Sequence, residues 1–346
     1  MIYGNIYCEN FTENKLFDYS SPRNTDGLFT PYIALREKLL QLGIEVNTPD
    51  INRDRTISFE IHMDGRPLSG NNLPKYLISV ENPLINKLNA DIDYLKDFQR
   101  VFSWNVAALN LPGAVKILIP NSISLPNTRS YSERHIFSCL ISSNKVAPWV
   151  GPNDLYAERI NVIRWYEKNA PSLFHLYGRG WNKPCQAFTR KDKFLRRLGR
   201  LGTQLFGYKP FPSWQGEVQF KSGILSNTRF SYCYENVKGL PNYITEKIFD
   251  SFLSGCVPIY WGADNVHEYI PSHCFIDRRQ FRGTADVHRH LMSITPEQHA
   301  QFQRNISDFL KSEQAYLFSV ENFVSTIAGA IAGDFHSSNA RPVIMV

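Results

Sequence analysis

Two adjacent residues, Glu246 and Lys247, sit in the stretch of this 346-residue chain with the densest chemistry, the string RFSYCYENVKGLPNYITEKIFDSFLSGCVPIYW over residues 229–261. The apolar run 230–234 reads as a buried strand that delivers Glu235 and Asn236 at its carboxyl end, the edge of an open α/β sheet where ligands bind. Thr245 is placed to cap a helix whose apolar face is Ile248, Phe249, Phe252 and Leu253. The start of a helix offers unpaired N–H groups and partial positive charge to phosphate oxygens, and a lysine there adds a full charge. A carboxylate beside it can accept the hydroxyls of a ribose or a sugar. Anion capture next to diol capture is what a nucleotide sugar demands. A glutamate in a first helical turn is by itself ordinary dipole chemistry, worth about 0.3–1 kcal/mol, so the surrounding string has to carry the argument.

The elements that must hold these residues follow from periodicity. Residues 135–142 (HIFSCLIS) read as a buried strand, 155–168 as a helix capped by Asn153 or Asp154, and 173–177 as a second strand closed by Gly178 and Gly180. Strands over 230–234 and 257–261 enclose the helix from about 245 to 253, and closing helices are expected over 296–311 and 313–332. Short apolar strands separated by helices imply a parallel sheet covered on both faces. Ahead of them, residues 1–130 carry apolar runs at 76–80, 101–104 and 115–119 between irregular crossings. The Pro- and Asn-containing stretch 118–128 is the best linker candidate. The expected class is α/β with two facing Rossmann-like domains and a cleft between them, the GT-B type. Its expected division is a first domain over 1–130, a second over 131–312, and a closing helix and tail over 313–346.

On these motifs the chain resembles the glycosyltransferase family 10 fucosyltransferases, the α1,3/α1,4 enzymes. The resemblance rests first on Tyr234-Glu235-Asn236, then Tyr243-Ile244-Thr245-Glu246-Lys247, then Gly255-Cys256-Val257-Pro258. It implies that Glu246 binds sugar or ribose hydroxyls and Lys247 the phosphates, with Asn236 and Tyr243 lining the donor pocket and Glu235 orienting it. A second block, Cys139–Asn144 followed by Arg159 and by Leu176–Gly180, implies an arginine on the donor diphosphate. Arg159 is the candidate, since a helical guanidinium facing strand tips can present a two-pronged fork. Arg164 is the weaker rival, and Lys145 and Arg179 flank the block. A third block, Glu81-Asn82-Pro83 and then Phe102-Ser103-Trp104-Asn105, resembles the family's acceptor side and implies Glu81 as general base, with Trp104 at the acceptor. A carboxylate in reach of the acceptor hydroxyl takes its proton as it attacks the anomeric carbon, contributing roughly 10²–10⁴-fold. The implied reaction is inverting transfer of L-fucose from GDP-β-L-fucose to a GlcNAc- or LacNAc-type hydroxyl of a glycan, with an α1,3 or α1,4 linkage, in surface-glycan or lipopolysaccharide synthesis. The resemblance also implies that 1–130 is the acceptor-binding domain and 131–312 the donor domain. It covers roughly residues 76–281; the first 75 match only loosely.

No cofactor or essential divalent metal is expected. Asp91-Ile92-Asp93 has the DxD form of metal-binding transferases, but its place in a variable loop before a helical stretch reads as surface or capping duty. The formal charge of +6 suits a polyanionic ligand without saying which one. Six scattered cysteines with no CxxC pair point to neither zinc nor a disulfide framework, and favour a reduced, intracellular chain. No apolar run is long enough to span a membrane, and no charged n-region precedes an apolar one, so a cytoplasmic location is expected. Residues 191–209, rich in Lys and Arg with interleaved Leu and Phe, are compatible with peripheral contact at the inner membrane face. Two alternatives stay open: a transferase of the same scaffold using another nucleotide sugar, and a basic protein that binds polyanions or membrane surfaces.

Overall fold

The computed structural model describes residues 1–126, 128–147, 151–184 and 209–338. Two compact units emerge, one of residues 1–123 with 315–346, the other of residues 124–314. The change of unit falls inside the proline-containing stretch expected as a linker. The C-terminal helix Val320–Ser338, read from sequence as part of a closing segment, belongs to the first unit. That helix does not begin at 313: a short helix Glu313–Tyr316 precedes it, and Ser319 instead pairs with Asn121.

The first unit holds a six-stranded parallel sheet of β1 (Ile2–Tyr7), β2 (Ile44–Asn47), β3 (Phe59–Met63), β4 (Lys75–Ser79), β5 (Arg100–Ser103) and β6 (Ala114–Lys116), in the order β2-β1-β3-β4-β5-β6. β3 and β4 are buried along their whole length, as strands covered on both faces must be. β1 to β3 were not singled out in sequence: Glu60 and His62, buried with their apolar neighbours, leave β3 without a continuous apolar run. Phe59, Ile61 and Tyr76 from the sheet pack with Leu35 and Leu39 of helix Thr30–Gln41 and with Phe323, Ile327 and Ile331 of the C-terminal helix. Gly4 is required here because a Cβ would lie 2.3 Å from the Phe59 ring.

The second unit holds a five-stranded parallel sheet: β7 (Ile136–Ile141), β8 (Phe174–Tyr177), β9 (Thr228–Tyr234), β10 (Val257–Trp261) and β11 (Ile276–Asp277), ordered β11-β10-β9-β7-β8. Helix Leu155–Asn169 starts at Asp154, whose carboxylate accepts the Tyr156 N–H at 2.7 Å, and ends the crossover from β7 to β8. Arg134, fully buried, ties the sheet to its helices by donating to the carbonyls of Leu225, Thr228 and Ser254 at 2.8–3.0 Å. At the end of β8, Gly178 has φ +117, and a Cβ there would meet the Ser142 carbonyl at 2.0 Å, so only glycine lets the tips of β7 and β8 lie this close.

In each sheet the strand order reverses direction once, between β1 and β3 in the first unit and between β7 and β9 in the second. The carboxyl ends of strands at such a reversal diverge and leave a crevice, the usual ligand site of open α/β sheets.

Candidate functional site

Each crevice is occupied by a pocket. In the second unit a cavity of about 270 Å³ opens at the ends of β7 and β9, walled by Ile141 and Ser142 on one side and by Asn236, Glu246 and Lys247 on the other. Helix Glu246–Leu253 aims its start at this cavity, with Thr245 as the cap. Beneath it lies Glu235, fully buried, whose carboxylate accepts the Thr245 backbone N–H at 2.8 Å, the Thr245 hydroxyl at 2.7 Å and the Lys247 ammonium at 3.2 Å. Glu235 thus pins the cap and the lysine together and does not line the cavity.

Lys247 reaches back from the helix start to the Thr245 hydroxyl at 2.9 Å and to Glu246 at 3.5 Å. Burial alone would lower its pKa, but the carboxylates of Glu235 and Glu246 outweigh it and hold the ammonium above its ordinary value. The Glu246 side chain is 46% exposed. Its desolvation would raise the carboxyl, yet the ammoniums of Lys247 and Lys221 bring it down to about 2, so it is an acceptor of hydrogen bonds at any physiological pH.

Arg159, expected on the diphosphate, lines the same cavity and is buried. Its Nη2 donates to the carbonyls of Tyr234 and Glu235 at 2.7 and 2.8 Å and to Asn236 Oδ1 at 3.1 Å, so the guanidinium closes the end of β9 as well as facing the cavity. Asn236 is therefore oriented by Arg159. Tyr243 is not brought to the cavity wall: it is 3% exposed, and its hydroxyl accepts from Asn236 at 3.5 Å, which makes it a support of that side chain. Arg164 lies elsewhere, paired with Glu167 at 2.6 Å and stacked over Phe211, and Arg179 is exposed with Glu217 at 3.7 Å. Lys145 does line the cavity. Lys221 and Asp250 also line it and were not singled out from sequence. Lys221 precedes β9 in the short helix Lys221–Leu225, and no motif at that point marks it.

In the first unit a cavity of about 460 Å³ opens at the ends of β1 and β3, walled by Cys8, Arg23, Asp64, Arg66 and Glu81 over an apolar side that includes Phe11 and Phe29. Glu81 follows β4, and its position is held from three directions. Its backbone N–H donates to Asp64 at 2.9 Å, its carbonyl accepts from Asn89 at 2.8 Å, and its carboxylate accepts from the backbone and side chain of Asn82 at 2.8 and 2.7 Å. Asp64 has φ +56, a left-handed turn that lets one carboxylate also receive the N–H of Val80 at 2.8 Å and the Asn89 amide at 2.9 Å. Burial pushes its carboxyl up against those hydrogen bonds. Asp64 and Asn89 were missed by sequence reasoning, since neither falls in a motif that carries chemistry. Trp104, expected at the acceptor, is 2% exposed, and its indole N–H donates to the Val80 carbonyl at 3.1 Å. It lies under the strand tip and steadies Glu81 instead of presenting a face to a sugar.

Asp91 and Asp93 do the local work expected of them. Asp91 caps helix Ile92–Leu95 by accepting the N–H groups of Asp93 and Tyr94, and Asp93 pairs with Lys96 at 2.8 Å. Residues 191–208, which carry the basic run, lie outside the described residues. Among the described residues no helix is long and apolar enough to cross a membrane.

Part of the second unit is similar to known proteins. The family model described as glycosyltransferase family 10 (fucosyltransferase) C-terminal matches residues 184–309, which include every donor-side residue from Lys221 to Asp250. Residues 184–309 are thus similar to the glycosyltransferase family 10 fucosyltransferases. The chain is 37% identical over 65 residues to the α-(1,3)-fucosyltransferase FucT of Helicobacter pylori, a stretch covering 19% of this chain and 13% of that enzyme. It is 42% identical over 57 residues to the α-(1,4)-fucosyltransferase of Arabidopsis thaliana, covering 16% of this chain and 14% of that enzyme. The aligned stretches thus span about one seventh of these relatives' own length. In fold, the chain is similar to an α1,3-fucosyltransferase solved with GDP (TM-score 0.52, 13% identity, 95% of this chain and 90% of that one). It is equally similar to Anabaena Alr3699/HepE solved with UDP and glucose (TM-score 0.54, 11% identity, 96% and 100%). The chain therefore has the two-sheet α/β architecture of GT-B glycosyltransferases.

Proposed function

We propose that the chain is a fucosyltransferase that moves L-fucose from GDP-β-L-fucose to a hydroxyl of a GlcNAc- or LacNAc-type glycan, with inversion, giving an α1,3 or α1,4 linkage. The observation that carries the reading is the second unit's crevice, where a capped helix start, Lys247 and Arg159 surround a cavity that Glu246 enters as an ionised acceptor. That set matches a nucleoside diphosphate joined to a sugar: cations and N–H dipoles for the diphosphate, a carboxylate for a diol. Donor identity is supported by the family 10 match, since the fold likeness alone includes an enzyme solved with UDP.

In the proposed reaction the acceptor hydroxyl gives its proton to Glu81 while its oxygen attacks the anomeric carbon of fucose. The bond from that carbon to the GDP oxygen breaks, and the electron pair leaves with the diphosphate. Attack from the face opposite GDP converts the β-linked donor to an α-linked product. Lys247, Arg159 and the helix start offset the charge that develops on the leaving diphosphate, the contribution that is largest when the donors are already in place. These groups carry the charge that a divalent metal supplies in DxD transferases.

The second reading, another nucleotide-sugar donor, is favoured by the likeness to the UDP-bound structure. Thermal unfolding in the presence of GDP, UDP and CMP separates the two: a ligand at 100 times its Kd stabilises by about 2.7 kcal/mol. A shift with GDP alone is expected; a larger shift with UDP overturns the donor assignment.

A further inference from the structure

Among the described residues, four cationic side chains line the donor cavity, Lys145, Arg159, Lys221 and Lys247, together with two carboxylates, Glu246 and Asp250. The third nearby carboxylate, Glu235, is already spent on Lys247 at 3.2 Å. With Glu235 counted, the cations among the described residues exceed the carboxylates by one, and Lys221 supplies that excess. Lys221 is moreover held in place: its ammonium lies 2.6 Å from Asp250 and 3.9 Å from Glu246, with 30% of the side chain exposed. We infer that Lys221 is a third diphosphate-binding cation of this pocket, beside Arg159 and Lys247, aimed by Asp250, an inference that rests on the donor-site reading above.

Helical geometry explains why Asp250 is the residue that does the aiming. Glu246 and Asp250 are four residues apart on helix Glu246–Leu253, so both carboxylates rise from one face, one turn apart. Like charges so placed repel and weaken a helix. Lys221 enters between them from a neighbouring helix, relieves that repulsion and is fixed at two points by it. The same two carboxylates keep the ammonium charged despite its burial. The result is that Glu246 stands between two ammoniums, Lys247 at 3.5 Å and Lys221 at 3.9 Å, which fixes the carboxylate that the donor's hydroxyls must meet.

A purely structural lysine would do no more than quiet the Glu246–Asp250 pair. The two roles differ in what they do to the second phosphate, and GDP and GMP report that difference. Calorimetric Kd values for both nucleotides are to be measured on the wild-type chain, K221M, K221R and D250N, with melting temperatures recorded for each. Loss of one charge-assisted contact predicts that K221M weakens GDP on the order of tenfold or more. GMP is expected to weaken by no more than about threefold, because it lacks the β-phosphate, and K221R should restore most of the GDP affinity. D250N, which leaves the ammonium present but unaimed, should reduce the preference for GDP over GMP by a smaller factor than K221M. Equal losses for GDP and GMP, or an unchanged GDP Kd in a K221M that melts normally, would overturn the inference. If the wild-type chain itself prefers UDP, or shows no preference for GDP over GMP, it is the donor-site reading that fails.

Discussion

At the scale of single residues, the division of labour between carboxylates is set by what each one touches. Glu235 is fully buried and spends its oxygens on Thr245 and Lys247, whereas Glu246 is half exposed at the cavity and Glu81 is held at a strand tip in the other unit's pocket. The motif set both Glu235 and Glu246 at the donor pocket; their surroundings show that only Glu246 lines it. Glu81→Gln keeps the shape and the Asn82 contact but cannot take a proton, so kcat should fall by roughly 10²–10⁴-fold. The Kd for GDP should stay within a few-fold, and near-normal turnover would place the base elsewhere. For Glu246 the sign of the pH effect is fixed by its depressed carboxyl, about 2 in the fold against an ordinary 4.5. Its contribution to stability is complete above about pH 4.5 and is lost as pH falls toward 2. Glu246→Gln should therefore flatten the fall of melting temperature between pH 4.5 and 3 and leave its slope between pH 6 and 8 unchanged.

At the scale of elements, the site depends on how strands end and helices begin. The cap at Thr245 is both a helix start and a relay, because one hydroxyl donates to Glu235 and receives the Lys247 ammonium. Thr245→Ala removes the cap and leaves a buried carboxylate oxygen short of a donor. It should cost about 1–2 kcal/mol in chemical unfolding and weaken GDP binding through a misplaced Lys247. A loss of stability with an unchanged Kd would show that Lys247 is set by Glu235 alone. Elements in this half of the chain were readable because their signals are local: β10 falls on the expected 257–261, and the helix following Thr245 ends at Leu253 as its apolar face does. In the first 75 residues β1, β2 and β3 escaped notice, since they are short and Asn5, Glu45, Glu60 and His62 break their apolar runs.

At the scale of the whole molecule, the chain closes its first unit with its last helix. Asp334 accepts from Arg100 on β5 through both carboxylate oxygens and from the Tyr76 hydroxyl on β4 at 3.2 Å, while Ile327 and Ile331 enter the core beside them. Asp334→Ala leaves a half-buried guanidinium unpaired, at a cost of about 2 kcal/mol by melting or urea unfolding. Because the donor cavity belongs to the other unit, GDP affinity should remain within about twofold; a tenfold loss would mean that the donor site is not the property of that unit alone.

The sequence by itself determined the residue kinds and the local elements of the donor side. Cap, helix face, strand end and the Glu246–Lys247 pair all lie within a few dozen residues, and their spacing is enough to predict that they meet. Tertiary structure alone decided that Lys221 and Asp250 share the cavity, that Tyr243 and Trp104 support their neighbours from below, and that residues 320–338 complete the unit begun at residue 1. Such facts depend on which strand ends lie side by side at a reversal of sheet order and on which side chains lose their water there. Neither is written in the spacing of residues along a chain.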